Sequence, residues 1–248
     1  MIVQACLNGA RPADFHPDLP LTAAAMARQG AACIAAGAAE LHIHPRNADG
    51  SESLEAVDET MLFVRQACPG IPVGVSTGEW IEGDAPRTLR RIEAWRDLPD
   101  YASVNLSEQG AADVMAALHR IGVGIEAGLS STDDAERFVA VPGFSQCLRV
   151  LIEVEEQEME RARHIVDDVA SVLVRAGCSL PILLHGFDAT VWPLIDLADQ
   201  RGWSTRVGFE DGKLLPDGKV ATSNAMLVGE AVRNMRQPKI AMAGAITC

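Results

Sequence analysis

Aromatic residues are scarce in this 248-residue chain, at 4% of the total, so its core is not built on stacked rings. The filling must come from Ala, Val, Leu and Ile. Ala suits close helix packing and Val and Ile suit strands, which favours an alternating α/β architecture over an aromatic-rich β-sandwich. Basic residues are also few, 21 Lys and Arg against 34 Asp and Glu, for a net charge of −13. Such a surface repels nucleic-acid phosphates, and no nucleic-acid partner is expected. A phosphorylated small molecule stays compatible, because a few local Arg or Lys can dominate one pocket. No uninterrupted apolar segment could span a membrane, and the opening MIVQACLNG reads as a strand, not as a leader. The six cysteines (Cys6, Cys33, Cys68, Cys147, Cys178 and Cys248) form no C-x-x-C pair. They read as reduced core residues or bystanders, not as a disulfide or zinc framework. The expectation is a soluble, cytoplasmic protein.

What is present is alternation. Strand-like runs fall at Ile2–Asn8, Glu40–His44, Ile71–Ser76, Tyr101–Asn105, Val123–Glu126, Leu148–Glu155, Pro181–His185 and Thr205–Glu210. Helical runs lie between them at Thr22–Ala36, Leu54–Ala67, Ala85–Trp95, Ala111–Arg120, Thr132–Ala140, Met159–Ala176, Thr190–Arg201 and Ser223–Met235. Thr22 and Ser223 suit N-caps, and Gly37, Gly177 and Gly202 suit left-handed helix ends. Eight βα units without a linker predict one (β/α)₈ TIM barrel over residues 1–248. An open doubly wound sheet is the alternative, but the Gly-rich phosphate turn expected after its first strand is missing.

Chemistry gathers at the strand ends. His42 and His44 share one face of their strand and Leu41 and Ile43 the other, so in a barrel both imidazoles point inward at the C-terminal end. Two imidazoles at this spacing can meet one metal ion; two hydrogen-bonded rim histidines fit the bare H-x-H as well. The same alternation turns Asn8, Ser76, Asn105, Glu126, Glu153, Glu155, Arg206 and Glu210 inward. So many polar groups at one rim are costly unless they pair, bind ions or contact a ligand. In the last strand Glu210 can complete a two-His, one-carboxylate set, and Gly208 would leave room beside it. Asp211 falls within ion-pair reach of Arg206, and an Arg–carboxylate pair that merely closes the barrel is the competing reading. His185 ends the seventh strand, facing substrate or satisfied at the rim. Glu153 and Glu155 suit acid/base work or a salt-bridge network equally. His16, His119 and His164 read as surface. Lys213 and Lys219 are solvated lysines or contacts for a ligand's phosphates.

The segments ACLNGAR, AGAAELHIHPRNADG, GVSTG, SVNLSEQG, RVGFEDG and SNAMLV together resemble the β-keto acid cleavage enzymes, which include 3-keto-5-aminohexanoate cleavage enzyme. They run from the first strand to the last helix. The resemblance implies a zinc-bearing (β/α)₈ barrel, commonly a homotetramer, that exchanges acyl groups between a β-keto acid and acetyl-CoA. On this sequence it puts the zinc ligands at His42, His44 and Glu210, and the proton-handling acid at Asp211 with Arg206 as partner. Ser76 and Asn105 would hold the substrate's carboxylate or carbonyl, and Glu126 would help bind it. Where the family carries an acid for the substrate's amine this chain has Arg11, which implies a neutral or anionic substrate tail. Another metal-assisted enzyme on the same barrel, an aldolase or a hydrolase, and a non-catalytic binding barrel stay open.

Overall fold

The computed structural model describes residues 1–236. Eight strands, β1 (Val3–Cys6), β2 (Glu40–Ile43), β3 (Val73–Ser76), β4 (Tyr101–Asn105), β5 (Gly124–Leu129), β6 (Arg149–Val154), β7 (Ile182–Gly186) and β8 (Ser204–Val207), follow one another around a closed barrel. Every neighbouring pair is parallel, and β8 closes onto β1 with Gln4 opposite Arg206. The predicted barrel is therefore the observed one; the open sheet is excluded because β1 has a partner on both edges.

Helices α1 (Ala23–Ala35), α2 (Val57–Ala67), α3 (Glu79–Glu82), α4 (Ala85–Ala94), α5 (Ala111–Ile121), α6 (Thr132–Ala140), α7 (Met159–Arg175), α8 (Val191–Arg201) and α9 (Asn224–Arg236) fill the connections. Each predicted helix is present, and the four-residue α3 is an addition that periodicity over a single turn could not show. Thr22 caps α1 by accepting from the Ala25 amide, and Gly177 and Gly202 take positive φ just past α7 and α8. Along α7, Val166, Val169, Val172 and Leu173 are buried as their spacing predicts.

The outward faces of the strands supply the main core. Leu41 and Ile43 of β2 are fully buried among the helices, with Val73, Val75, Ala102 and Val104 on the next two strands. Inside the barrel the middle layer is polar. Arg149 donates to Glu126 at 2.5 Å and pairs with Glu40, while its guanidinium lies 4.8 Å from the centre of the Tyr101 ring. Gln4 reaches Glu40, Tyr101 and Glu126. Burial opposes the charge on Glu126, but Arg149 outweighs it and holds the carboxyl below the ordinary range. This plug carries the histidine layer above it, on the side of the strands' C-terminal ends.

Cys6, Cys33, Cys68 and Cys147 are buried and Cys178 is half-buried, all as free thiols; Cys248 lies outside the described residues. Among the described residues no helix is long and apolar enough to cross a membrane.

Candidate metal centre and active site

Alternation along β2 turns His42 inward, and Asn8 holds the chain in register just beyond it. The Asn8 side chain donates to the His44 carbonyl at 2.8 Å and accepts from the His44 amide at 3.0 Å. His44 thereby stays beside His42 although the strand stops at Ile43, with the two Nε2 atoms 3.2 Å apart.

The third member arrives differently from the sequence expectation. β8 ends at Val207, and Gly208–Gly212 form a turn in which Asp211 and Gly212 both donate to the Gly208 carbonyl at 3.0 Å. Asn224, at the start of α9, clamps that turn by accepting from the Phe209 amide at 2.7 Å and donating to the Leu7 carbonyl at 2.9 Å. From the other side Arg11 donates to the carbonyls of Glu210, at 2.9 Å, and Asp211, at 3.1 Å. Glu210 faces the histidines because the turn is clamped, not because strand alternation continues. Gly208 leaves no room for an ion: a Cβ there would lie 1.8 Å from the Cys6 carbonyl oxygen. The space for the Glu210 side chain comes instead from Gly9, whose φ is +53° and whose Cβ would stand 2.4 Å from Glu210 Cγ.

His42, His44 and Glu210 offer ligand atoms all within 4.8 Å of one another. Glu210 Oε2 is 3.9 Å from His42 Nε2 and Oε1 is 3.5 Å from His44 Nε2. Burial lowers the His42 imidazole to about 4, which leaves it neutral and able to donate a lone pair. Burial also works against charge on His44, but Glu210 and Glu52 outweigh it and raise the ring to about 9. A metal ion held by His44 and Glu210 would replace a proton on that ring. Buried Glu210 Oε2 has no hydrogen-bond partner. The donor set, a buried orphan oxygen and an open cavity side fit a divalent cation.

Behind this set lies a second array. Arg206, 2% exposed, donates to Glu210 at 2.7 Å and Glu153 at 3.2 Å, and its Nε lies 3.4 Å from Asp211. His185 joins Glu153 and Asp211, with Nε2 and Nδ1 each 3.0 Å from a carboxylate oxygen. Burial resists the charge on Glu210, yet Arg206 and the two imidazoles hold its carboxyl well below the ordinary range. Burial and Arg206 oppose protonation of His185, while its bonds to Asp211 and Glu153 raise it. His185 and Glu153 thus belong to one network with Arg206 and Asp211.

A cavity of about 940 Å³ opens over both arrays, and His42, His44, Ser76, Asn105, Arg206 and Glu210 all line it. Three expected site residues do not. Asn8 is spent on the His44 backbone, and Glu126 is held by Arg149 and Gln4 in the plug. Asp211 is fully buried beside Arg206 and His185, one step back from the wall, whereas Glu153 reaches it. Glu155 lines the mouth. His119 and His164 are exposed as expected. His16 is buried instead, bonded to the Ala221 carbonyl and stacked 4.1 Å from Phe209. Lys213 donates to the Phe15 carbonyl and Lys219 pairs with Asp217; neither lines the cavity.

Glu52 is the functional neighbour that sequence reasoning misses, since seven residues of loop separate it from His44. Here the isolated bridge between Arg46 and Glu52 folds that loop back and brings its carboxylate 2.5 Å from His44 Nδ1. Substituting His42→Ala is expected to reduce bound metal to background with the barrel intact, measured by elemental analysis and circular dichroism.

Known proteins resemble this chain in both sequence and fold. The sequence profile of the beta-keto acid cleavage enzyme family matches residues 1–172 and 166–245. The 3-keto-5-aminohexanoate cleavage enzyme of Fusobacterium nucleatum is 24% identical over 252 residues, covering 94% of this chain and 90% of that protein. Among solved structures, a ternary complex of ObcA with a C4-CoA adduct and oxalate superposes with a TM-score of 0.72 at 17% identity. That match covers 88% of this chain, which spans only 63% of the ObcA chain. A type I 3-dehydroquinate dehydratase from Clostridium difficile shares the fold at a TM-score of 0.63 and 12% identity, over 93% of this chain and 92% of its own. With nearly the whole sequence matched and the His-His-Glu set assembled at the barrel mouth, the chain belongs to the beta-keto acid cleavage enzyme family.

Proposed function

We propose that this enzyme exchanges acyl groups between a β-keto acid and acetyl-CoA, producing acetoacetate and a new acyl-CoA. One observation carries the reading: a His42–His44–Glu210 donor set lines the cavity beside Arg206 and Glu153, which connect it to Asp211 and His185 buried behind the wall in one proton-handling array. The ObcA structures, holding a C4-CoA adduct with oxalate in one case and oxaloacetate in another, support CoA-linked keto-acid chemistry.

The overall change converts R–CO–CH₂–COO⁻ and CH₃–CO–S-CoA into CH₃–CO–CH₂–COO⁻ and R–CO–S-CoA, with every atom retained. Zinc held by His42, His44 and Glu210 would supply Lewis-acid polarisation of the substrate's keto oxygen. Ser76 and Asn105, on the cavity wall at the ends of β3 and β4, bind the substrate's carboxylate or carbonyl oxygens. The α-proton passes to the carboxylate array, where Asp211 is the acceptor. Because Asp211 is buried, the proton reaches it through Glu153 and His185, whose ring nitrogens bridge the two carboxylates at 3.0 Å. The α-carbon then attacks the acetyl carbonyl and CoA thiolate leaves. That thiolate attacks the original keto carbon, the carbon–carbon bond breaks, and the array returns the proton to acetoacetate.

Arg11 on the wall favours a neutral or anionic substrate tail. A second reading of the tail comes from Glu79, Glu108 and Glu155, which line the same cavity and suit a cationic group, while Arg11 is committed to Asp188 and two carbonyls. A screen of cationic, neutral and dicarboxylic β-keto acids with acetyl-CoA, followed by acetoacetate formation, decides between them. Acetoacetate from none of them would remove the acyl-exchange reading and leave an aldolase or hydrolase. Asp211→Asn is expected to lower kcat by about 10²–10⁴-fold with little change in KM. Free buried thiols suit a cytoplasmic location, and a homotetramer is the assembly to look for by light scattering.

A further inference from the structure

A metal-bound imidazole is oriented by what its second nitrogen bonds to, commonly a carboxylate or a carbonyl. The two histidines here differ in this respect. His42 Nδ1 is buried without a partner, whereas His44 Nδ1 lies 2.5 Å from Glu52 Oε1. The other Glu52 oxygen accepts from the Trp80 indole at 3.0 Å. Trp80 is 50% exposed and lines the cavity mouth, so its ring is held at the rim by the carboxylate that holds His44. The loop carrying Glu52 is itself anchored: Asn47 and Ser51 bond across it at 2.8 Å, and the Ser53 amide donates to the Pro45 carbonyl at 2.9 Å.

We propose that Glu52 is a positioning residue for the metal centre and that Trp80 is its anchor. By accepting the His44 Nδ1 proton, Glu52 selects the tautomer whose Nε2 lone pair faces His42 and Glu210. By accepting from Trp80 as well, it ties the metal ligand to the aromatic residue that a substrate passes on entry. The inference rests on the metal reading above and adds to it which residue makes His44 competent. A glutamine at 52 would still accept from Trp80, but its NH₂ would face His44 Nδ1 and favour the tautomer with the proton on Nε2, which cannot ligate.

The test is zinc affinity, measured on the full chain by competition with a chromophoric chelator. Glu52→Gln is expected to weaken zinc binding by about 10–100-fold, with the metal-free protein still folded by circular dichroism. Trp80→Phe, which keeps the carboxylate and loses only its anchor, is expected to weaken zinc binding by a smaller factor and tests the idea even if E52Q folds poorly. In the zinc-loaded wild type a far-downfield His44 Nδ1 proton should appear in the NMR spectrum and be missing in E52Q, a change that loop disturbance alone would not produce. Wild-type zinc affinity in a folded E52Q protein would overturn the proposal while leaving the metal reading intact. Wild-type affinity in W80F would remove Trp80 from it. A wild-type protein that binds no zinc would end both.

Discussion

Replacing Arg206 with Met is expected to lower stability by about 3–5 kcal/mol, the usual cost of leaving buried charges without their partner. For a chain of this length that corresponds to a drop in Tm of roughly 6–20 °C. Three carboxylates depend on this one guanidinium, those of Glu210, Glu153 and Asp211, at 2.7, 3.2 and 3.4 Å. Without it they would repel one another across a largely buried cluster. Arg206→Lys separates charge from shape. It keeps the cation, so most of the stability should return, but a compact ammonium cannot meet three acceptors spread around a planar fork. We expect R206K to melt near the wild type and still lose at least about 10²-fold in kcat/KM. If R206K restored activity as well, the array would act through charge alone and the relay geometry would be irrelevant.

Gly208→Ala should be nearly as damaging, for a purely steric reason. Its Cβ would sit 1.8 Å from the Cys6 carbonyl oxygen and 2.9 Å from Asn224 Oδ1, neither of which can move freely. The carbonyl belongs to the closing strand β1, and the Asn224 amide clamps the turn that carries Glu210. Overpacking of this kind costs about 1–3 kcal/mol and often more when backbone must shift. The backbone shift should also displace Glu210. The expected result is a lower Tm together with weaker metal binding, read by thermal denaturation and elemental analysis on the same preparation. A G208A protein that melted lower yet bound metal normally would mean that Glu210 is positioned by Arg11 and Gly9 without help from the turn.

The barrel and the two histidines were legible in the chain because both follow from a local repeat. Period-two alternation sends Leu41 and Ile43 to the helices and His42 to the interior wherever β2 forms. Eight such units in sequence have few ways to close. Glu210 was also identified, although by a strand argument that holds only as far as Val207. Glu126 shows the limit of the same reasoning. Alternation turns it inward correctly, but inward on β5 at that height means the Arg149 plug and not the cavity. Height along the barrel axis depends on the stagger between strands, which no single strand encodes.

The sequence by itself therefore determined the fold class, the inward face of each strand and the three residue types that can hold a metal. Tertiary structure decided the remaining assignments. It set Asn8 to bracing His44 and Arg11 to bracing the Glu210 turn, drew His185 and Glu153 into the array with Asp211, and brought Glu52 to His44 across a folded loop. The reason is the range of the interactions. Side-chain alternation acts between neighbours in the chain and can be read there, whereas a hydrogen bond between residues 8 and 44 or 11 and 210 exists only once β1, β2 and β8 share one closed wall.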